Sequence, residues 1–215
     1  MGAEKLDWEK ILSIVTAVTA IVGIALTLMQ INLANKQALL DKRIDILSFV
    51  KSILNIYQND RETILKNEDH LNFTVDFDFL LLTNTPYFSD VHEVIKDPYN
   101  NELKTKFLSR LNDIDERSWK TKLIFTDECA EHIADFIIQY QLTLYEVYRY
   151  KLVLDKIEEV NKEGYIETLE EIQEAVEEPK YRKRLRKQLN KLDSAYQKVK
   201  DHNCFINLEN ETRLE

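Results

Sequence analysis

The sequence predicts an all-α protein. A single N-terminal transmembrane helix continues into a helical stalk and then a cytoplasmic helical bundle with coiled-coil character. Three observations carry this expectation. Residues 11–29, ILSIVTAVTAIVGIALTLM, run for nineteen positions without a charge. Glycine and proline occur three times each in 215 residues, and Gly164 is the only glycine beyond residue 30. Apolar residues then recur at heptad steps in several later segments. Turn-rich β folds and phosphate-cradling loops rely on glycine for positive φ, so its scarcity favours helices.

Residues 1–10 form a short flank and residues 11–30 the expected span. Nineteen residues at helical rise reach about 28 Å, close to the roughly 30 Å hydrocarbon core of a bilayer. Trp8 suits the interface before the run, and Gln30, Asn32 and Asn35 follow it. A signal peptide would be shorter, begin basic and end at a small-x-small cleavage site; here the start, MGAEKLDWEK, is mildly acidic and no such site follows. A buried helix of a soluble domain is the second alternative, and a run this long without charge favours spanning. Gly2 does not suggest a myristoyl anchor, because Leu6 stands where that pattern wants Ser or Thr. Lys36, Lys42 and Arg43 follow the span, against Lys5 and Lys10 before it. That bias places the C-terminal side in the cytoplasm of a single-pass protein of the cell membrane.

Ser13, Thr16, Ala20, Gly23, Thr27, Gln30 and Ala34 are separated by alternating steps of three and four, a seam along one helix face. Ile14, Val15, Val18, Val22, Leu26 and Met29 fall mostly elsewhere and suit lipid. Helices associate in bilayers through close backbone approach at small residues, so the seam is expected to join copies of the chain. The alternative is that the hydroxyls bond back to their own helix carbonyls. Ala17, Thr19 and Ala25 lie off the seam, and the pattern suggests contact before conduction.

Residues 31–66 lack Gly and Pro, and Leu33, Leu40, Ile44, Leu47 and Leu54 keep a spacing that prolongs the seam as a stalk. A kink near Asn32–Asn35 is the alternative. An α-helical domain is expected over 67–202. Its first part is the least regular: FTVDFDFLLLTN fits a strand period or a helix, and the lack of a second clear strand favours the helix. Asn84-Thr-Pro86 and Asp97-Pro98-Tyr-Asn-Asn101 read as turns, with Ser89 capping a short helix between them. Leu103, Phe107, Leu111 and Ile114 mark a helix over about 101–122. Thr126 is placed to cap a longer one carrying Ile133, Ile137, Tyr140, Leu144, Val147 and Leu154. Phe136, Tyr145, Tyr148 and Leu152 widen its apolar face, as a central bundle helix requires. Gly164 ends that run, and an acidic helix over about 166–178 leads to Pro179, which fits the first turn of a final helix. Residues 203–215 are expected to be an irregular tail.

The net charge of −9 argues against general nucleic-acid binding, which draws on neutralising phosphates. The charge is unevenly spread. Residues 158–178 hold nine Glu and one Lys, whereas KYRKRLRKQLNK at 180–191 holds seven Lys or Arg and no acid. Lys180, Arg182, Lys183, Arg184, Arg186, Lys187 and Lys191 are therefore candidate contacts for an anion or anionic lipid. The competing expectation is that the two segments, joined at Pro179, neutralise each other or neighbouring protomers.

Cys129 and Cys204 make no framework of closely spaced cysteines. Two free thiols in a reducing compartment are expected, with one long-range disulfide as the alternative. The sequons at Asn72 and Asn210 matter only on an extracellular side. Asp127, Glu128, Cys129 and His132 form the best metal-like group, and His70, His92 and His202 have no spacing that matches it. A metal needs three or four ligands, so a charged first turn with an incidental histidine is the simpler reading, and no metal or cofactor is expected. Asp76 and Asp78 would be paired carboxylates only on a strand facing a pocket. G-x-S-x-G, Walker A, G-x-G-x-x-G, H-E-x-x-H and C-x-x-C motifs are all absent, so an enzyme is not expected.

The expected function is that of an oligomeric membrane effector. Its cytoplasmic domain would sense a cytosolic protein or a small signal ligand, and its clustered spans would act on membrane lipids. A non-conducting anchored adaptor that recruits a cytosolic partner is the alternative. In layout alone the chain is similar to small bacterial membrane effectors of phage-defence systems, in which a short span joins a sensing domain; no motif is shared.

Overall fold

The computed structural model describes residues 8–66, 81–163 and 168–213. These form seven α-helices and two 3-10 turns, with no strand among the described residues. The helices are α1 (Trp8–Lys66), α2 (Ser89–Lys96), α3 (Asn101–Ile124), α4 (Cys129–Glu163), α5 (Leu169–Ala175), α6 (Glu178–Asp201) and α7 (Cys204–Asn210). The stretch read either as strand or helix, including Asp76 and Asp78, lies outside the described residues, as does Gly164. The chain divides into two compact units, 1–42 and 43–215.

In the first unit, α1 is exposed throughout residues 10–39. Its apolar part is long enough and apolar enough to cross a membrane, and none of it is buried. An exposed helix that is apolar on all sides is ill-suited to water, which is the physical case for a bilayer around it.

The second unit begins inside the expected stalk. Ile46, Phe49, Val50, Ile53, Tyr57 and Ile64 are buried in the main core, at the three-and-four steps of a packed helix face. The stalk heptad selects a different face: Leu33 and Ile44 are exposed, and of that series only Leu47 is buried. Continuity of the helix is as the missing Gly and Pro suggested. The buried stripe turns away from the heptad because a globular core, rather than a second stalk, covers it.

The long helix α4 is the centre of this unit and packs on α6, α3 and α7. Ile133, Ile137, Tyr140, Leu144 and Val147 are all fully buried. Fully buried Tyr140 donates to Leu82 O at 2.6 Å, and Ser118 donates to Ala134 O at 2.9 Å, so these core hydroxyls are satisfied. A smaller cluster of Val153, Ile157 and Ile172 joins the far end of α4 to α5.

The helix ends follow local chemistry, with two changes from expectation. Asn100 caps α3 by accepting from Glu102 N and Leu103 N, and Thr168 caps α5 by accepting from Glu171 N. Ser89 is the first residue of α2 instead of its cap, because the 3-10 turn Pro86–Phe88 runs directly into the helix. At α4 the capping carboxylate is that of Asp127, which accepts from Cys129 N at 2.7 Å, while the Thr126 hydroxyl is drawn to Glu211. Pro179 lies in the first turn of α6 as expected.

The C-terminal tail is not irregular. After Asn203, whose φ of 51° turns the chain, α7 folds back and buries Cys204 and Leu208. The expectation of two free thiols is likewise corrected: Cys129 and Cys204 are joined as a disulfide, with their Cα atoms 4.9 Å apart. A separation of 75 residues hid this pairing, since only the return of α7 onto α4 brings the two sulfurs together.

Candidate membrane seam and charged sites

The membrane seam comes directly from helical geometry. A residue every three or four positions returns to the same face, so Ser13, Thr16, Ala20, Gly23, Thr27, Gln30 and Ala34 share one side of α1. All seven are exposed. A Cβ added at Gly23 would meet nothing within 4 Å, so the face is open. Thr16 donates to Leu12 O and Thr27 to Gly23 O, both at 2.8 Å, and off-seam Thr19 does the same to Val15 O. The hydroxyl protons are thus committed within the helix. The face is left with small side chains and an approachable backbone.

The basic segment resolves into two groups along α6. Lys180 pairs with Glu177 at 3.0 Å, Arg184 reaches Glu146 of α4 at 3.3 Å, and Arg182 forms a fork with Glu178, its Nε donating at 2.7 Å. Arg186 is half-buried. Lys183, Lys187 and Lys191, spaced four apart, are exposed and make no ion pair among the described residues. Neutralisation by the preceding acidic segment is therefore partial: Glu177 and Glu178 supply it, and the lysine ridge faces solvent.

The first group has a structural role. Glu178 is completely buried, held by Arg182 and by the Tyr150 hydroxyl, which donates to it. A buried carboxylate needs such compensation. Burial, and then the hydrogen bond to Glu178, push the Tyr150 phenol well above its ordinary range. A second network joins α1 to α6. Arg61 grips Asp193 with two bonds, of 2.6 and 3.1 Å, and Tyr57 donates to the same carboxylate at 3.0 Å. Burial, reinforced by Asp193, raises the Tyr57 phenol strongly.

The third constellation has no precursor in the sequence. Arg43, the first residue of the second unit, donates through Nε to Ile124 O and through Nη1 to Glu211 O, both at 2.8 Å. Its Nη2 lies 3.2 Å from Glu211 Oε2. The Glu211 carboxylate also accepts from Thr126 N at 3.2 Å and from Asp127 N at 2.8 Å. One tail carboxylate therefore ties the start of the domain to the turn before α4. No local pattern could reveal a contact that spans 168 residues.

Beside it, the helix-forming segment after Asp127 and the returning tail bring four residues to one place. Cys129 and His132 lie on the first turn of α4, and His202 and Cys204 flank the turn between α6 and α7. The two imidazoles lie with centroids 4.9 Å apart and their planes tilted by 33°. Among the described residues no group of three or more His, Cys, Asp or Glu is set to hold a metal in this structure, where the two sulfurs are bonded to each other. His202 and Cys204 are the members that spacing did not single out, because they sit beyond the end of α6 and meet His132 and Cys129 only through the fold.

No family model, curated protein or solved structure matches the chain.

Proposed function

We propose that this chain is an oligomeric single-span membrane protein whose helical domain senses a protein or small ligand and whose clustered spans act on the membrane. The observation that carries the proposal is the uncovered small-residue face of α1 centred on Gly23. In a bilayer such a face gains dispersion contact from a second helix that lipid chains do not match as closely. Orientation with the domain in the cytoplasm rests on Lys36, Lys42 and Arg43 alone, since the paired cysteines no longer argue for a reducing compartment. The second reading is a non-conducting anchored adaptor that recruits a cytosolic partner. It is favoured by the closure of the Thr16 and Thr27 hydroxyls onto their own helix, which leaves little to line a polar path.

The Gly23→Leu, Thr27→Leu double variant tests the proposal. A Cβ added at position 23 meets open space in the single chain, and circular dichroism of the double variant separates loss of assembly from misfolding. The native mass of the detergent-extracted protein should fall from a defined oligomer to a monomer, and dye release from vesicles containing it should stop. An oligomer of unchanged mass refutes the seam. Loss of assembly without any change in vesicle permeability refutes the effector reading and leaves the adaptor.

A further inference from the structure

We propose that Cys129, His132, His202 and Cys204 form a tetrahedral site for a zinc-class divalent cation once the Cys129–Cys204 disulfide is reduced. Both cysteines of the chain and two of its four histidines meet here, from two segments distant in sequence. Two thiolates and two imidazoles are a common ligand set for tetrahedral zinc. Cys129 and His132, three apart at the start of α4, project from one helix face, and His202 and Cys204 come from the facing tail.

Surrounding groups already orient two of the four ligands. His202 Nδ1 lies 2.9 Å from Lys198 O, and since a carbonyl only accepts, that nitrogen carries the proton. The Nε2 lone pair is thereby left for a metal, the arrangement in which ligating histidines are usually held. Asn207 donates to Cys129 Sγ and to His202 O, both at 3.5 Å, which keeps the sulfur of one segment against the backbone of the other. His202 is exposed and His132 half-buried, so an ion has an approach from solvent, whereas Cys204 is wholly buried.

The conversion balances with a dithiol as the named reductant. The dithiol supplies two electrons and two protons, becomes a disulfide itself, and leaves Cys129 and Cys204 as thiols. The cation then displaces one proton from each thiol, and two thiolates with two neutral imidazoles offset its double positive charge. Because Cys204 is buried, the reductant acts when α7, a helix of seven residues, opens. The site therefore has two closed forms, a disulfide under oxidising conditions and a metal cross-link under reducing ones, and either holds α7 against α4.

Cobalt provides the test on the full-length protein in detergent. The protein is reduced with a phosphine, desalted without oxygen and titrated with Co²⁺. Reduced wild type should bind one ion, with the thiolate charge-transfer band and the intense visible bands of tetrahedral cobalt, and Zn²⁺ should bleach both. Oxidised protein should give neither. His132→Ala and His202→Ala should each weaken binding at least tenfold, and His92→Ala should leave it unchanged. Circular dichroism confirms that the variants fold. Absence of the bands in reduced wild type overturns the proposal, as does binding that survives both histidine substitutions unaltered.

Discussion

Ile53→Ala decides whether the second half of α1 is stalk or core. Ile53 is completely buried in the main core, whereas Ile44 is 48% exposed. The stalk heptad makes the opposite assignment: it contains Ile44 and leaves Ile53 out. Truncating Ile53 removes three carbons from the core, worth about 2.4 kcal/mol at ~0.8 kcal/mol each. The cavity left behind raises the loss to about 3–4 kcal/mol, inside the usual range for such changes. Ile44→Ala should cost less than about 0.5 kcal/mol, as for an ordinary surface site. For a domain of this size each kcal/mol lowers Tm by about 2–4 °C, so Ile53→Ala should melt about 6–16 °C below wild type. Thermal unfolding of both variants in the same detergent, followed by circular dichroism, measures the difference. If Ile44→Ala is the more damaging of the two, α1 is packed along the heptad and the core described here is wrong.

Two further outcomes follow from the polar networks. Glu211→Ala strips Arg43 of its carboxylate and hands Thr126 N and Asp127 N to water, a loss of about 1 kcal/mol for partly exposed bonds. Hydrogen exchange should show those two amides, and α7, opening faster while the middle of α4 stays protected; unchanged exchange would mean that the contact contributes nothing. Tyr57, Tyr140 and Tyr150 all have phenols raised by burial, above the unfolded value of about 10. Their neutral forms are therefore favoured in the folded state. Stability should be fully present below about pH 10 and decline above it, by about 1.4 kcal/mol per pH unit for each such tyrosine. Urea titrations from pH 8 to 11 measure that slope. Tyr57→Phe should make it shallower, and an identical slope would contradict the raised phenol.

The helical class of this chain is a property of its sequence alone. Scarce glycine and proline leave little but helix, and the surviving turn signals at Asn84–Pro86, Asp97–Asn101 and Pro179 stand at observed helix boundaries. The apolar character of residues 11–29 and their small-residue face are equally local, because helical periodicity by itself places Thr16, Gly23 and Thr27 together. The buried face of α4 was legible for the same reason: Ile133, Ile137, Tyr140 and Leu144 are apolar at a period that only a packed helix explains. In α1 beyond Lys42 the stalk heptad continues through Ile44, Leu47 and Leu54, while the buried stripe runs through Ile46, Val50, Ile53, Tyr57 and Ile64. Reading the segment as a continuation of the span follows the first; the core of the second unit covers the second. The tail carried no strong periodic signal over its seven helical residues, and it is helical because α4 buries Cys204 and Leu208. The Arg43–Glu211 contact, the cysteine pair and the meeting of His132 with His202 share one cause. Each joins segments far apart in the chain, whose closure in space is decided by the packing of whole helices and leaves no trace in local spacing.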